Sequence, residues 1–184
     1  MKEILLLILG GVLVNNYAFE KFLGVTPLLG YSRKKNKLVA LGLSVTVVML
    51  LVAAIAYPVQ AALINSGLGY LRLLVFVVLV LLVVYVVELL SKALLHQCLG
   101  VYFPLIALNS AVLGLALENG VKGYSFGQSL AAALGVGLGF LVALLLMSGV
   151  QSRIEEKHIP AAFRGLPISL LAASIIAMVL VAFK

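Results

Sequence analysis

The side chains of this chain that could do chemistry are polar groups set inside apolar runs. Asn109-Ser110 lies within the run from Val101 to Leu117, and Asn15-Asn16 lies at similar depth within the run from Ile4 to Phe19. Amides and hydroxyls in hydrocarbon are costly unless they find partners. Asn15, Asn16 and Asn109 could bond exposed carbonyls, line a path for a transported cation, or join helices through amide bonds worth ~0.6 kcal/mol each. The placement predicts that the two segments meet and that the rest of the chain packs around them.

No other constellation competes. The sequence holds no P-loop, dinucleotide fingerprint, nucleophile elbow or paired carboxylates, so the chain carries no catalytic machinery of its own. One cysteine, Cys98, allows no internal disulfide and cannot hold a metal alone. His158 has no second His, Cys or Asp at ligand spacing, and His96 reads as interfacial.

The elements that must position the amides follow from composition. The hydrophobic fraction is 64% and the mean hydropathy +1.25, in 184 residues. A soluble domain has roughly 45–50% apolar residues, so this chain is read as an all-α integral membrane protein whose main surroundings are the lipid bilayer. A span needs about 20 apolar residues, and the chain has room for roughly six. The net charge of +7 marks the cytoplasmic side of such a protein and does not point to nucleic acid. Lys2 is cancelled by Glu3 and no small-x-small site follows, so Ile4 onward reads as a retained helix and not as a cleaved signal.

In order, helix one is expected from Ile4 to Leu23. It ends in Gly24-Val-Thr-Pro-Leu-Leu-Gly30, a broken or re-entrant stretch in which Pro27 removes a donor. Helix two is expected over Leu38–Tyr57, stopped by Pro58, with a linker from Val59 to Tyr70. Helix three is expected over Leu71–Leu90, followed by an interfacial piece from Ser91 to Leu99. Helix four is expected over Val101–Leu117, helix five over Phe126–Met147 and helix six over Leu166–Phe183. Gly127, Ala131, Gly135 and Gly139 recur every four residues along helix five, a pattern that lets helices approach closely. Basic residues concentrate in loops one, three and five, which places those loops in the cytoplasm and both termini outside it. Helices one and four then run in opposite directions, and Val14-Asn-Asn16 corresponds to Leu108-Asn-Ser110. The expected architecture is a single membrane domain, 1–184, of six transmembrane helices as two inverted three-helix repeats, about 1–95 and 96–184, with helices one and four broken or re-entrant.

Charged residues give further candidates. Glu20, Lys21 and Glu88 are expected near the cytoplasmic ends of helices one and three, where Lys21 and Glu88 could pair or Glu88 could help an ion enter. The polar loop from Arg153 to Arg164 suits docking of neighbouring cytoplasmic subunits.

Scattered over the whole chain in one order stand Val12-Leu-Val-Asn-Asn16, Lys21-Phe-Leu-Gly24, Pro27 to Gly30, Tyr70-Leu-Arg72, Glu88, Phe103-Pro-Leu-Ile106, Asn109, Ala111-Val-Leu-Gly114 and Ile159-Pro-Ala-Ala-Phe-Arg-Gly165. By these pieces the sequence resembles the A subunit of the Rnf electron-transport complex and its relative, the E subunit of the sodium-pumping NADH:quinone reductase, Nqr. The resemblance implies a bacterial inner-membrane subunit in an ion-translocating oxidoreductase complex. It also implies a pseudo-symmetric partner, the E subunit in Rnf or the D subunit in Nqr, that shares an intramembrane 2Fe-2S cluster held by two cysteines from each. The family's cysteine positions fall here on Thr26 and Ser110. A neutral hydroxyl is a poor substitute for a thiolate toward iron, so the cluster is expected to be absent or altered. Two other functions fit the residues: a stand-alone small transporter or channel with an inverted repeat, and a cluster-free structural subunit.

Overall fold

The computed structural model describes residues 2–30, 35–95, 103–154 and 159–182. Its order is α1 (Lys2–Leu9), a π-helical turn (Gly10–Val14), α2 (Val25–Gly30), α3 (Lys35–Asn65), a 3-10 turn (Gly69–Leu71), α4 (Arg72–Leu95), α5 (Phe103–Ala107), α6 (Ser110–Lys122), α7 (Phe126–Gln151), a 3-10 turn (Ala161–Phe163) and α8 (Leu166–Val181). The described residues are helical with no strand. Four stretches among them, Leu38–Asn65, Gly69–Leu90, Pro104–Lys122 and Phe126–Gln151, are long and apolar enough to cross a membrane. The 16 residues of α8 add a shorter apolar helix of roughly 24 Å at 1.5 Å per residue. This is a multi-pass helical membrane protein.

Both expected broken segments are interrupted, but elsewhere than expected. Helix one does not run to Leu23: regular helix stops at Leu9, widens through the π-turn closed by Asn15 N–H donating to the Gly10 carbonyl at 2.6 Å, and gives way to irregular backbone from 15 to 24. The stretch Val25–Gly30, expected to be broken, is helical. Pro27 falls in its first turn, where backbone donors have no helical partner to lose. Helix four is split at Leu108-Asn109 and continues past Leu117, so Glu118, Asn119 and Lys122 are helical. Pro58 does not stop helix two. It lies on an exposed face inside α3, which ends at Asn65 where Gly67 adopts φ +68. The expected linker therefore shrinks to a short turn, Ser91–Leu95 continues α4, and α7 runs on to Gln151. Cys98, His96 and His158 lie outside the described residues, as does the middle of the 153–164 loop.

Close backbone approach sets the directions of the helices. α7 is the hub. A Cβ at Gly135 would stand 2.9 Å from the Ile8 Cα, and one at Gly139 would stand 2.5 Å from the Gly11 carbonyl oxygen. The two contacts advance together along both chains, so α1 is parallel to α7. On the other side Gly42 meets Leu141 while Gly137 meets Thr46, so α3 is antiparallel to α7. The short turn at 123–125 makes α6 antiparallel to α7 as well. It is closed by Gly123 at φ +62 and by a Ser125 cap paired with Gln128. α1 and α6 therefore run in opposite directions. Phe19, Phe76 and Phe140 are among the largest fully buried side chains of the core between these helices. α4 turns Leu73, Leu74, Val78, Leu82 and Tyr85 outward, an apolar face suited to acyl chains.

Gly139→Ala should separate α1 from α7 and cost about 1–3 kcal/mol of stability, as overpacking does. Gly127, with no atom near its virtual Cβ, should accept Ala without loss. Thermal unfolding of the two detergent-solubilised variants checks the contrast.

Candidate functional site

The interrupted spans are held by asparagine. Asn16 is 2% exposed. Its Oδ1 accepts the Ala18 N–H at 3.0 Å, and its Nδ2 donates to the Gly139 carbonyl at 2.8 Å and the Val12 carbonyl at 3.1 Å. Asn109 is 3% exposed and caps α6, its Oδ1 accepting the Ala111 N–H at 3.0 Å. Each amide thus takes the donor two residues ahead, which the break in the helix would otherwise leave bare. Asn16 and Asn109 are equivalent in this role. The correspondence expected from the sequence, Asn15 with Asn109, is off by one residue. Asn15 is exposed and lies outside this bonding.

A direct bond joins the two breaks: Gly24 N–H donates to Ser110 Oγ at 2.9 Å. Gly24 has φ +74, and a Cβ there would stand 2.7 Å from both Asn109 Oδ1 and the Phe140 ring, so only glycine fits. Just before it, Phe22 holds φ +51, a conformation rarely taken by an aromatic residue. Thr26 lies in the first turn of α2 and Ser110 opens α6, and both are exposed. The two hydroxyl residues are therefore brought to neighbouring, open positions at the breaks. The Asn109 Nδ2 is buried and has no hydrogen-bond partner.

The loop from 15 to 24 is tied down by charge. Lys21 Nζ and the Tyr17 hydroxyl both donate to Glu118 Oε2, and Lys122 Nζ stands 2.6 Å from Glu118 Oε1. The Lys21 ammonium also lies 4.3 Å from the centre of the Tyr17 ring, within cation–π range. The expected pairing of Lys21 with Glu88 is not what the fold produces. Gln60 of α3 packs on Gly120 of α6, so Glu118 sits at the end of the bundle where α3 turns into α4. Glu88 is roughly 24 Å along α4 from that end, at 1.5 Å per residue. The excursion of 15–24 returns Lys21 toward the end from which α1 starts, and the placement of Lys21 beside Glu88 at one end fails for that reason. Sequence reasoning misses Glu118 because it ends helix four at Leu117. A carboxylate at the edge of an apolar run is itself the signal, since it needs a partner.

Among the described residues no group of three or more His, Cys, Asp or Glu could hold a metal ion. At the breaks the donors are neutral hydroxyls, and the Ser110 oxygen already accepts a backbone N–H.

A double-mutant cycle checks the charge assignment: Lys21→Met with Glu118→Gln should show coupling of about 0.5–1 kcal/mol in unfolding, and Lys21→Met with Glu88→Gln none. Asn16→Leu should be worse than either, costing about 1–3 kcal/mol for each buried backbone group left unpaired.

Residues 4–184 match the family model described as Rnf-Nqr subunit, membrane protein. Similar curated proteins include the A subunit of the ion-translocating oxidoreductase complex of Syntrophotalea carbinolica, 41% identical, with 100% of this chain and 97% of that protein covered. The A subunit of the Na(+)-translocating ferredoxin:NAD(+) oxidoreductase complex of Acetobacterium woodii is 38% identical over 98% of this chain and 96% of its own length. The A subunit of the ion-translocating oxidoreductase complex of Vibrio cholerae is 35% identical over 100% and 97%.

Proposed function

The chain belongs to the Rnf-Nqr family of membrane subunits, and from that premise we propose that it is the A-type membrane subunit of an ion-translocating oxidoreductase complex. In this reading it forms half of a pseudo-symmetric core that couples electron transfer to Na+ or H+ movement. The other half is a homologous membrane subunit of opposite topology, like the E subunit of Rnf or the D subunit of Nqr. The complex sits in the bacterial inner membrane with both termini of this chain outside the cytoplasm. The observation that supports the reading is the pair of interrupted, oppositely directed spans, linked from Gly24 N–H to Ser110 Oγ, with Thr26 and Ser110 on open faces. A shared site needs such an open face on each partner.

The intramembrane 2Fe-2S cluster of the family does not fit the residues present. Cluster iron is held by thiolates, soft ligands that deprotonate readily. Thr26 and Ser110 offer neutral oxygen, and the Ser110 oxygen accepts the Gly24 N–H. We therefore propose that this chain contributes no cluster ligands. Its own residues hold two interrupted helices together, keep water-seeking backbone groups satisfied, and present a polar, uncharged surface to the partner. Electron passage through the complex then relies on groups held by other subunits.

Purification of the intact complex tests both parts. The chain should co-purify with the other membrane subunits and with flavin-bearing partners, and its deletion should abolish ion-coupled electron transfer. Ion flux through the chain reconstituted alone in liposomes would overturn the subunit reading in favour of a stand-alone transporter. Iron and sulfide analysis should show no change on Ser110→Ala, whereas Thr26→Cys with Ser110→Cys should gain iron–sulfur absorbance. Loss of stoichiometric iron on Ser110→Ala would overturn the cluster-free reading.

A further inference from the structure

A slot of about 220 Å3 lies away from the breaks, at the end of the bundle where α6 turns into α7. On α3 its lining recurs at Ala53, Ala56, Gln60 and Ile64, and on α6 at Ala116, Gly120 and Gly123. Steps of three and four residues keep each set on one helix face, so the slot runs along the helices. From Ala53 to Ile64 it is roughly 16 Å long at 1.5 Å per residue. Ala53, Ala56, Ala116 and the Phe76 ring of α4 close its buried end, while Ile64 and Gly123 at the other end are exposed.

The buried end of the slot is apolar. Its three alanines offer methyl groups only, and the space that larger side chains would fill stays open. Tyr57 and Tyr124 line it as well. Tyrosines near the ends of spans keep the ring in hydrocarbon and the hydroxyl at the level of the lipid headgroups. A volume of about 220 Å3 spread over that length is too narrow for a partner helix, which is about 10–12 Å across. It suits one extended hydrocarbon chain, with room for about seven groups in a row at roughly 30 Å3 each, the share of one water.

The rim of the slot is basic. Lys122 precedes Gly123, and its ammonium stands 5.6 Å from the Tyr124 ring centre. Arg72 opens α4 one turn before Phe76, on the same helix face and nearer the end of the bundle. Among the described residues Arg72 has no carboxylate partner. Lys122 has to share Glu118 with Lys21. No carboxylate lines the slot. The charge left over at the rim is therefore positive, and it suits an anion.

We propose that the slot holds one acyl chain of an anionic phospholipid, with the phosphate on Arg72 and Lys122. The occupant needs both ends of this arrangement: an apolar channel for its chain and a cationic rim for its head. The guanidinium fork of Arg72 matches two phosphate oxygens, and the Lys122 ammonium adds a point charge. Basic pockets between spans take anionic headgroups in this way. The lipid would fill the space that α3, α4 and α6 leave between them and bind the three together. The proposal stands on the membrane fold alone and does not depend on electron transfer or ion movement.

Native mass spectrometry of the full chain in detergent, given phosphatidylglycerol or phosphatidylcholine with the same acyl chains, tests the site. One phosphatidylglycerol should stay bound under activation that strips phosphatidylcholine. Arg72→Gln with Lys122→Gln should lower the bound fraction several-fold, and Arg72→Lys should keep most of it. Ala61 lines the slot at an exposed position, so Ala61→Phe should block the chain and abolish the adduct while leaving thermal unfolding in lipid-free detergent unchanged; this arm decides if the glutamine pair fails to fold. Equal retention of the two lipids, or an adduct untouched by Ala61→Phe, would overturn the site. Displacement of the lipid by glycerol phosphate alone would mean an anion site with no seated chain, and a dimer forming in place of the adduct would mean a second copy; either result sinks the proposal.

Discussion

Every peptide group inside a bilayer has to be bonded within the protein, because the surrounding hydrocarbon offers no donor or acceptor. Unbroken helices meet this demand by themselves. This chain breaks two of its spans, and each break frees backbone groups that cost about 1–3 kcal/mol apiece when buried unpaired. Asn16 and Asn109 answer with the same device, an amide oxygen on the N–H two residues ahead. Asn16 also spends its amino group on the Val12 and Gly139 carbonyls. One short side chain thus closes its own break and fastens it to α7. The Gly24–Ser110 bond then makes the two breaks a single unit.

That unit is stable only if the helices around it come close. Gly135 and Gly139 let the α1 backbone lie directly on α7, and Gly42 and Gly137 do the same for α3. Tyr17, Ala18 and Phe19 pack the first part of the 15–24 loop into the core, while Lys21 and Phe22 are exposed. The exposed part is tied by the Glu118 carboxylate, which gathers Tyr17, Lys21 and Lys122. One side of the molecule is therefore tightly fitted. Elsewhere the outward apolar residues of α4 and α8, and Thr26 and Ser110, stay exposed.

Much of this is legible in the sequence, and the misses have physical causes. Asn16 and Asn109 stand out because amides in apolar runs must be used. That both serve breaks in the backbone can be anticipated, but the one-residue register cannot, because hydrogen-bond role and sequence likeness pick different partners for Asn109. Two prolines mislead. Pro27 falls in a first turn, where it does no harm, and Pro58 is exposed inside α3, which continues past it to Asn65. Neither location is encoded nearby. Lys21 gains the wrong partner when helix one is taken to run straight. The excursion at 15–24 carries it to Glu118 instead, a contact over nearly a hundred residues that depends on the break itself. The slot between α3, α4 and α6 arises from three helices meeting, so no local pattern announces it.

The hydroxyls at Thr26 and Ser110 bear on how far fold and cofactor are separable. A neutral thiol at 110 would be a weak acceptor for the Gly24 N–H, whereas the serine hydroxyl accepts it at 2.9 Å. Serine is thus not an empty place where a ligand used to be; it does a structural task that a free thiol does less well. A chain that gave up iron ligation at this point would lose a ligand and gain a bond that closes the break. Nothing else in the unit has to change, because Asn16, Asn109 and Gly24 act on backbone groups and not on a metal. The bonds that join the interrupted spans run between protein groups alone.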